Sequence, residues 1–217
     1  METVRLLLAL AAHGGLEVHH MDVKSAFLNG DLREQVYVYQ PPGQGAQTEQ
    51  GSVWASSGTT AWNARLDQEQ IELGFRRSVL DHDSFLLVGV YVGDLIICGP
   101  NVGGINKFKQ QMMKSFKMSD LDLLSYCLSI KVEQKKREIA ISQSAYTGMI
   151  LKMARMIGCN SCTTPMEPRL QLTKETAGAP VDTTKYRSII GSLRYLVNTR
   201  PDIAFVVGLV SRFMEYE

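Results

Sequence analysis

Charge of one sign is what this chain has least to spare: 23 Lys and Arg stand against 22 Asp and Glu, a formal net charge of +1 over 217 residues. That balance excludes a protein that finds nucleic acid or an anionic membrane by its overall field, so any contact with nucleic acid must come from a local groove. Cysteine is scarce as well. Cys98, Cys127, Cys159 and Cys162 are too few for a disulfide framework, two fall in expected strands, and the set indicates a reduced, intracellular protein in cytoplasm or nucleus. Cys159 and Cys162 make a C-x-x-C with no second pair at zinc-ligand spacing, so they read as two loop thiols. No apolar run is long enough to span a bilayer, so no membrane partner is expected. The run Leu6 to Ala12 lies behind Arg5, but Glu2 offsets that charge, and Val4, Leu7, Leu8 and Ala11 repeat at helical spacing. It reads as a helix start and not as a signal peptide.

What is present is enough apolar material for a core: 45% of residues are hydrophobic, which suits one large domain or one domain with a small appendage. The order of elements reads as α+β. Residues 2–13 form a helix stopped by Gly14-Gly15, and Leu16 to Met21 alternates into a short strand ending at Asp22. Lys24 to Leu28 turns helically until Asn29-Gly30-Asp31. Gln35 to Gln40 alternates strictly, as a half-exposed strand does, and Pro41-Pro42-Gly43 closes it. Residues 44–60, rich in Gln, Gly, Ser and Thr, read as a loop. Ala61 to Leu73 is a helix with Gly74 as its stop, and Ile105 to Phe116 is another, with Phe108, Met112 and Phe116 on one core-facing side. Ser125 to Glu133 and Glu138 to Ser142 form a hairpin around the charged tip Gln134-Lys135-Lys136-Arg137. Gln143 to Met156 is an amphipathic helix, 157–182 is a connector, and Thr184 to Val197 and Asp202 to Met214 are helices split at Thr199-Arg200-Pro201.

The stretch from Ser84 to Gly99 organises the rest. Two aliphatic runs, Phe85 to Val92 and Leu95 to Cys98, flank the step Gly93-Asp94, the signal for a tight hairpin between buried strands. Asp94 is its only charge. A carboxylate at a rigid strand end suits metal-assisted phosphoryl transfer, and the same two residues also suit an ordinary Gly-Asp turn.

The segment His20 to Gly43, HMDVKSAFLNGDLREQVYVYQPPG, resembles the first catalytic motif of reverse transcriptases from Ty1/copia retrotransposons, and Tyr91 to Gly99, YVGDLIICG, resembles the second, where the family has Tyr-Val-Asp-Asp. Met118 to Leu121 and on to Tyr126, Ile141 to Tyr146, Thr164 to Met166, and Tyr186 to Leu196 running into Thr199 to Ile203 match further segments in the family's order. The resemblance implies an RNA-directed DNA polymerase using two-metal nucleotidyl transfer with Mg2+, and RNA template and DNA primer as partners. It implies a palm-like catalytic region over 1–117 with an antiparallel sheet and packed helices, a thumb-like hairpin and helix over 118–160, and a connector with helices over 161–217 leading toward a ribonuclease H part. The fingers are then largely missing. Carried over residue by residue, Asp22 and Asp94 are catalytic metal ligands, Val23, Lys24, Ser25 and Ala26 lie under the triphosphate, and Phe27 is the aromatic that crowds a ribose 2′-oxygen or else a core aromatic.

Four departures from the pattern imply a degenerate copy with little or no polymerisation. Gly93 replaces the first aspartate of the pair, the carboxylate expected to bridge both metals. Val53 to Trp62 is a shortened Ser/Thr stretch, Ser84-Phe85 runs almost directly into the hairpin, and the chain begins just ahead of the first motif. Ser129, where the family usually has glycine, is a smaller one. The alternative is a non-catalytic module that retains the palm to bind nucleic acid or protein.

Overall fold

A computed structural model describes residues 1–30, 56–75, 85–163, 165–167 and 182–214. The expected strand at 35–40, its closing prolines and residues 44–55 lie outside the described residues. Two compact units emerge: one from residues 2–125 with 134–139, the other from Tyr126–Glu133 with residues from Ala140 onward.

The first unit begins with helix α1, Glu2–Gly14, whose buried Val4, Leu7, Leu8 and Ala11 are the helically spaced residues of the sequence. Gly15 takes φ 63°, the left-handed conformation that ends a helix, and Leu16 N–H bonds back to Ala11 O at 2.8 Å. Strand β1, Val18–Val23, follows, then a 3₁₀ turn over Ala26–Asn29 and helix α2, Ser56–Glu72. Strands β2, Leu87–Tyr91, and β3, Asp94–Cys98, make the hairpin; helix α3, Val102–Ser115, leads into strand β4, Met118–Leu123. The sheet order is β2-β3-β1-β4, and every pairing is antiparallel. Met21, Val23, Leu95 and Ile97 from the sheet pack with Trp62 and Leu66 of α2 and with Ile105, Phe108, Met112 and Phe116 at α3. Burying such side chains contributes about 1.5–3 kcal/mol each, which is what holds both helices to the sheet.

Several sequence expectations shift. β1 runs through Asp22 to Val23, so Asp22 lies within a strand and not at its stop. The hairpin turn is Val92-Gly93; Asp94 is already in β3, paired with Tyr91. Val92 carries a left-handed φ of 57°, so the turn starts one residue before the Gly-Asp step. Helix α2 starts at Ser56, so residues 56–60 are helical and not loop. β4 is a strand that the sequence reading passed over.

The second unit holds β5, Tyr126–Cys127, with β6, Ile130–Lys135, and β7, Glu138–Ser142, in one antiparallel sheet whose hairpin tip counts with the first unit. The expected single strand from Ser125 to Glu133 is thus two, split by a turn in which Leu128 and Ser129 both have positive φ, 51° and 59°. Helices α4, Ser144–Met153, α5, Thr183–Leu196, and α6, Ala204–Ser211, complete it, with Pro201 opening a 3₁₀ turn before α6. Tyr195 OH donates to Leu128 O, Tyr186 OH to Val210 O at 2.8 Å, and Thr199 Oγ1 to Gln143 Oε1 at 2.8 Å.

Gln134 is not part of a solvated tip. Its side chain accepts from Val18 N–H at 2.9 Å and donates to Val18 O at 2.9 Å and Leu124 O at 2.8 Å. No helix among the described residues is long and apolar enough to cross a membrane.

Candidate active site

β1 and β3 lie side by side with a register that sets Asp22 directly opposite Asp94. Residues two apart on a strand share a face, so His20 joins Asp22 on the side of β1 that Asp94 shares on β3. His20 is 6% exposed, and its Nε2 lies 2.7 Å from Asp94 Oδ1. Asp22 Oδ2 accepts from the Lys24 ammonium. Each carboxylate is therefore met by a basic side chain from β1 or the residue just after it.

Gly93 sits beside this pair. Its carbonyl accepts from Val23 N–H at 2.8 Å, and a Cβ built at position 93 would lie 3.8 Å from Asp22 Oδ1 and 3.1 Å from Val23 O. A carboxylate at 93 would thus enter the space in front of Asp22. Val92, the other turn residue, is held by the indole of the fully buried Trp62, whose Nε1 donates to Val92 O at 2.7 Å. Trp62 stacks edge-on with Phe116, ring centres 5.2 Å apart. Gly30 permits this approach of α2: a Cβ there would be 2.6 Å from Trp62 N, closer than real atoms come.

The segment after Asp22 is built around the same turn. Val23 is buried at the end of β1, and Lys24 N–H bonds to Lys117 O at 2.9 Å. Ser25 is exposed in the left-handed region, φ 52°, and Ala26 is buried. Phe27 is half-buried against the core cluster. Asp22, Asp94 and the residues from Val23 to Phe27 thus belong to one unit around one hairpin; His20, Trp62 and Gly30 were not among the sequence candidates. The period-two spacing of His20 and Asp22 was the one available signal for the first of them.

Behind the sheet, Lys109 is 4% exposed and donates to His19 Nδ1 at 3.1 Å and Asp120 Oδ1 at 2.7 Å. Burial, then the Lys109 charge, pushes the His19 imidazole below its usual 6.5. Burial raises the Asp120 carboxyl, but the Lys109 hydrogen bond and the Asp122 N–H outweigh it and hold it below 3.8. Cys98 is buried and its thiol pushed up to about 11 by that burial, so it is inert as a nucleophile.

The first unit is thus an antiparallel sheet that sets two acids, Asp22 and Asp94, opposite each other at the base of a tight hairpin. The chain belongs to the reverse transcriptase (RNA-dependent DNA polymerase) family, whose model matches residues 1–168. It is 32% identical over 241 residues to the retrovirus-related Pol polyprotein from transposon TNT 1-94 of Nicotiana tabacum, covering 99% of this chain and 18% of that protein. It is 30% identical over 228 residues to the Pol polyprotein from transposon RE1 of Arabidopsis thaliana, 98% of this chain and 16% of that one. The putative transposon Ty5-1 protein of Saccharomyces cerevisiae is 30% identical over 212 residues, 89% of this chain and 69% of that protein. The chain spans less than a fifth of the length of the first two relatives. No solved structure matches it.

The family uses divalent metal ions and binds nucleic-acid template and primer. Asp22 and Asp94, two carboxylates on one face of the sheet, are the residues that could hold one such ion. Gly93 adds no third carboxylate beside them.

Proposed function

We propose that this chain is the RNA-directed DNA polymerase region of a Ty1/copia-type Pol polyprotein, in a copy whose nucleotidyl transfer is impaired. The observation that carries the reading is the direct opposition of Asp22 and Asp94 with glycine, not acid, at 93. Residues 1–117 act as the palm, 118–160 as a thumb-like hairpin and helix, and 161–217 as connection, working inside the cell on RNA template and DNA primer.

In this reading Asp22 and Asp94 hold a divalent cation, Mg2+ in the cell, which when bound neutralises the incoming triphosphate and lowers the pKa of the primer hydroxyl. The protein's own contribution is placement. Trp62 and the pairing of β1 with β3 fix the hairpin against which Asp94 stands. Val23 to Ala26 form the floor beneath the nucleotide, and Phe27, anchored in the core, crowds its sugar. Without a third carboxylate the mutual repulsion of two divalent cations a few ångströms apart, many kcal/mol at moderate effective dielectric, is left uncompensated.

Primer extension on an RNA template with Mg2+ or Mn2+ tests this. Little or no incorporation is expected. Incorporation that Asp22→Ala or Asp94→Ala abolishes would overturn the impairment and leave the site assignment standing; incorporation that neither change affects would overturn the site.

A further inference from the structure

We propose that His20 is the positioning residue for Asp94, holding one carboxylate oxygen so that the other is presented to a divalent cation. The inference rests on the reading of Asp22 and Asp94 as ligands.

The geometry is specific. Asp94 has two neighbours on β1: Asp22 directly across and His20 one step back on the same face, diagonal to it by the register His20↔Ile96 and Asp22↔Asp94. The imidazole is almost wholly buried, its side chain 8% exposed, whereas the Asp94 side chain is 28% exposed. A buried donor that touches one oxygen of a half-open acid removes the freedom of that acid to rotate about its Cβ–Cγ bond. Oδ1 is taken at 2.7 Å, and Oδ2 is the oxygen assigned to a cation. Hydrogen-bonded partners of ligating groups raise affinity by fixing the ligand's orientation, commonly tenfold to a hundredfold.

This matters more here than in a site with three carboxylates. With glycine at 93, a cation depends on two acids, and disorder in either one removes half of the protein's ligand set. Asp22 is met by Lys24, a flexible and exposed side chain, 51% exposed, that an incoming cation can displace into solvent. His20 has no such exit, and its contact with Asp94 is the fixed part of the arrangement.

Two substitutions of similar size separate positioning from packing. In His20→Leu the pocket stays filled and the donor is gone; in His20→Gln an amide nitrogen donates from a similar place. Mn2+ binding to the full chain is followed by the loss of free-ion electron paramagnetic resonance signal, with thermal midpoints recorded without metal. The expected result is a saturable site in the parent that Asp94→Asn removes, about tenfold weaker binding in His20→Leu, and recovery to within about threefold in His20→Gln. The metal-free midpoints show whether the affinity lost in His20→Leu merely follows stability: all variants should remain folded at the binding temperature, so that the change read is one of affinity. Equal Mn2+ affinity in His20→Leu and parent, or no recovery in His20→Gln, would overturn the assignment of His20 alone. A parent with no Mn2+ site sensitive to Asp94→Asn would overturn the ligand reading of the carboxylate pair and the role of His20 with it.

Discussion

The indole Nε1 of Trp62 donates to the carbonyl oxygen of Val92 across 2.7 Å, and through it a helix whose first turns are Ser, Gly and Thr holds the turn of the central hairpin. Val92 has a left-handed backbone, φ 57°, that a β-branched residue adopts at a cost of about 1–3 kcal/mol. Trp62→Phe keeps the ring and its edge contact with Phe116 while deleting the donor. It should lower stability by about 1–2 kcal/mol, read in urea melts, and hydrogen exchange in β2 and β3 should accelerate near the turn.

Gly93→Asp should tighten Mn2+ binding. The new Cβ lies 3.1 Å from Val23 O, so the turn must yield by a few tenths of an ångström, and its carboxylate faces Asp22. Three acids together repel one another without a cation. The thermal midpoint should therefore fall in chelator and rise with Mn2+ by more than in the parent, as ligand linkage requires.

Acid should loosen the first unit in two stages. His19 has a folded pKa below 6.5, so its neutral form is favoured in the fold, and its contribution is complete above 6.5 and is lost as pH falls through the depressed value. Asp120 is held below 3.8, and its contribution is lost only at lower pH still. Thermal midpoints between pH 7.5 and 3 should decline with this order, and His19→Gln should flatten the upper stage while leaving the lower.

Ser129→Gly should stabilise the second unit. Leu128 and Ser129 are consecutive positive-φ residues in the β5–β6 turn, and glycine removes a left-handed penalty of about 1–2 kcal/mol, offset in part by its freer unfolded chain. A gain near 1 kcal/mol in chemical denaturation is expected.

How much of this was legible in the sequence depended on whether burial wrote a period into it. The face of α3 was readable because Phe108, Met112 and the adjoining Phe116 are buried at helical spacing. The hairpin was readable because β3 is apolar from Leu95 to Cys98. β4 was hidden because it is an outer strand whose last four residues are exposed, so no alternation of apolar side chains marks it. The start of α2 was hidden because Ser, Gly and Thr are weak helix formers that tertiary contacts overrode. The juxtaposition of Asp22 and Asp94 was legible only by resemblance: nothing in spacing brings Asp94 to Asp22, which the sheet register does.

Gln134 imitates a peptide unit, one donor group and one acceptor offered to the main chain at Val18 and Leu124. Because it grips backbone only, substitutions at 18 or 124 do not disturb its bonds directly, whereas even Glu at 134 would lose the amide donor that both carbonyls share. This hairpin should therefore tolerate change in the residues Gln134 touches and fail through the one that does the touching.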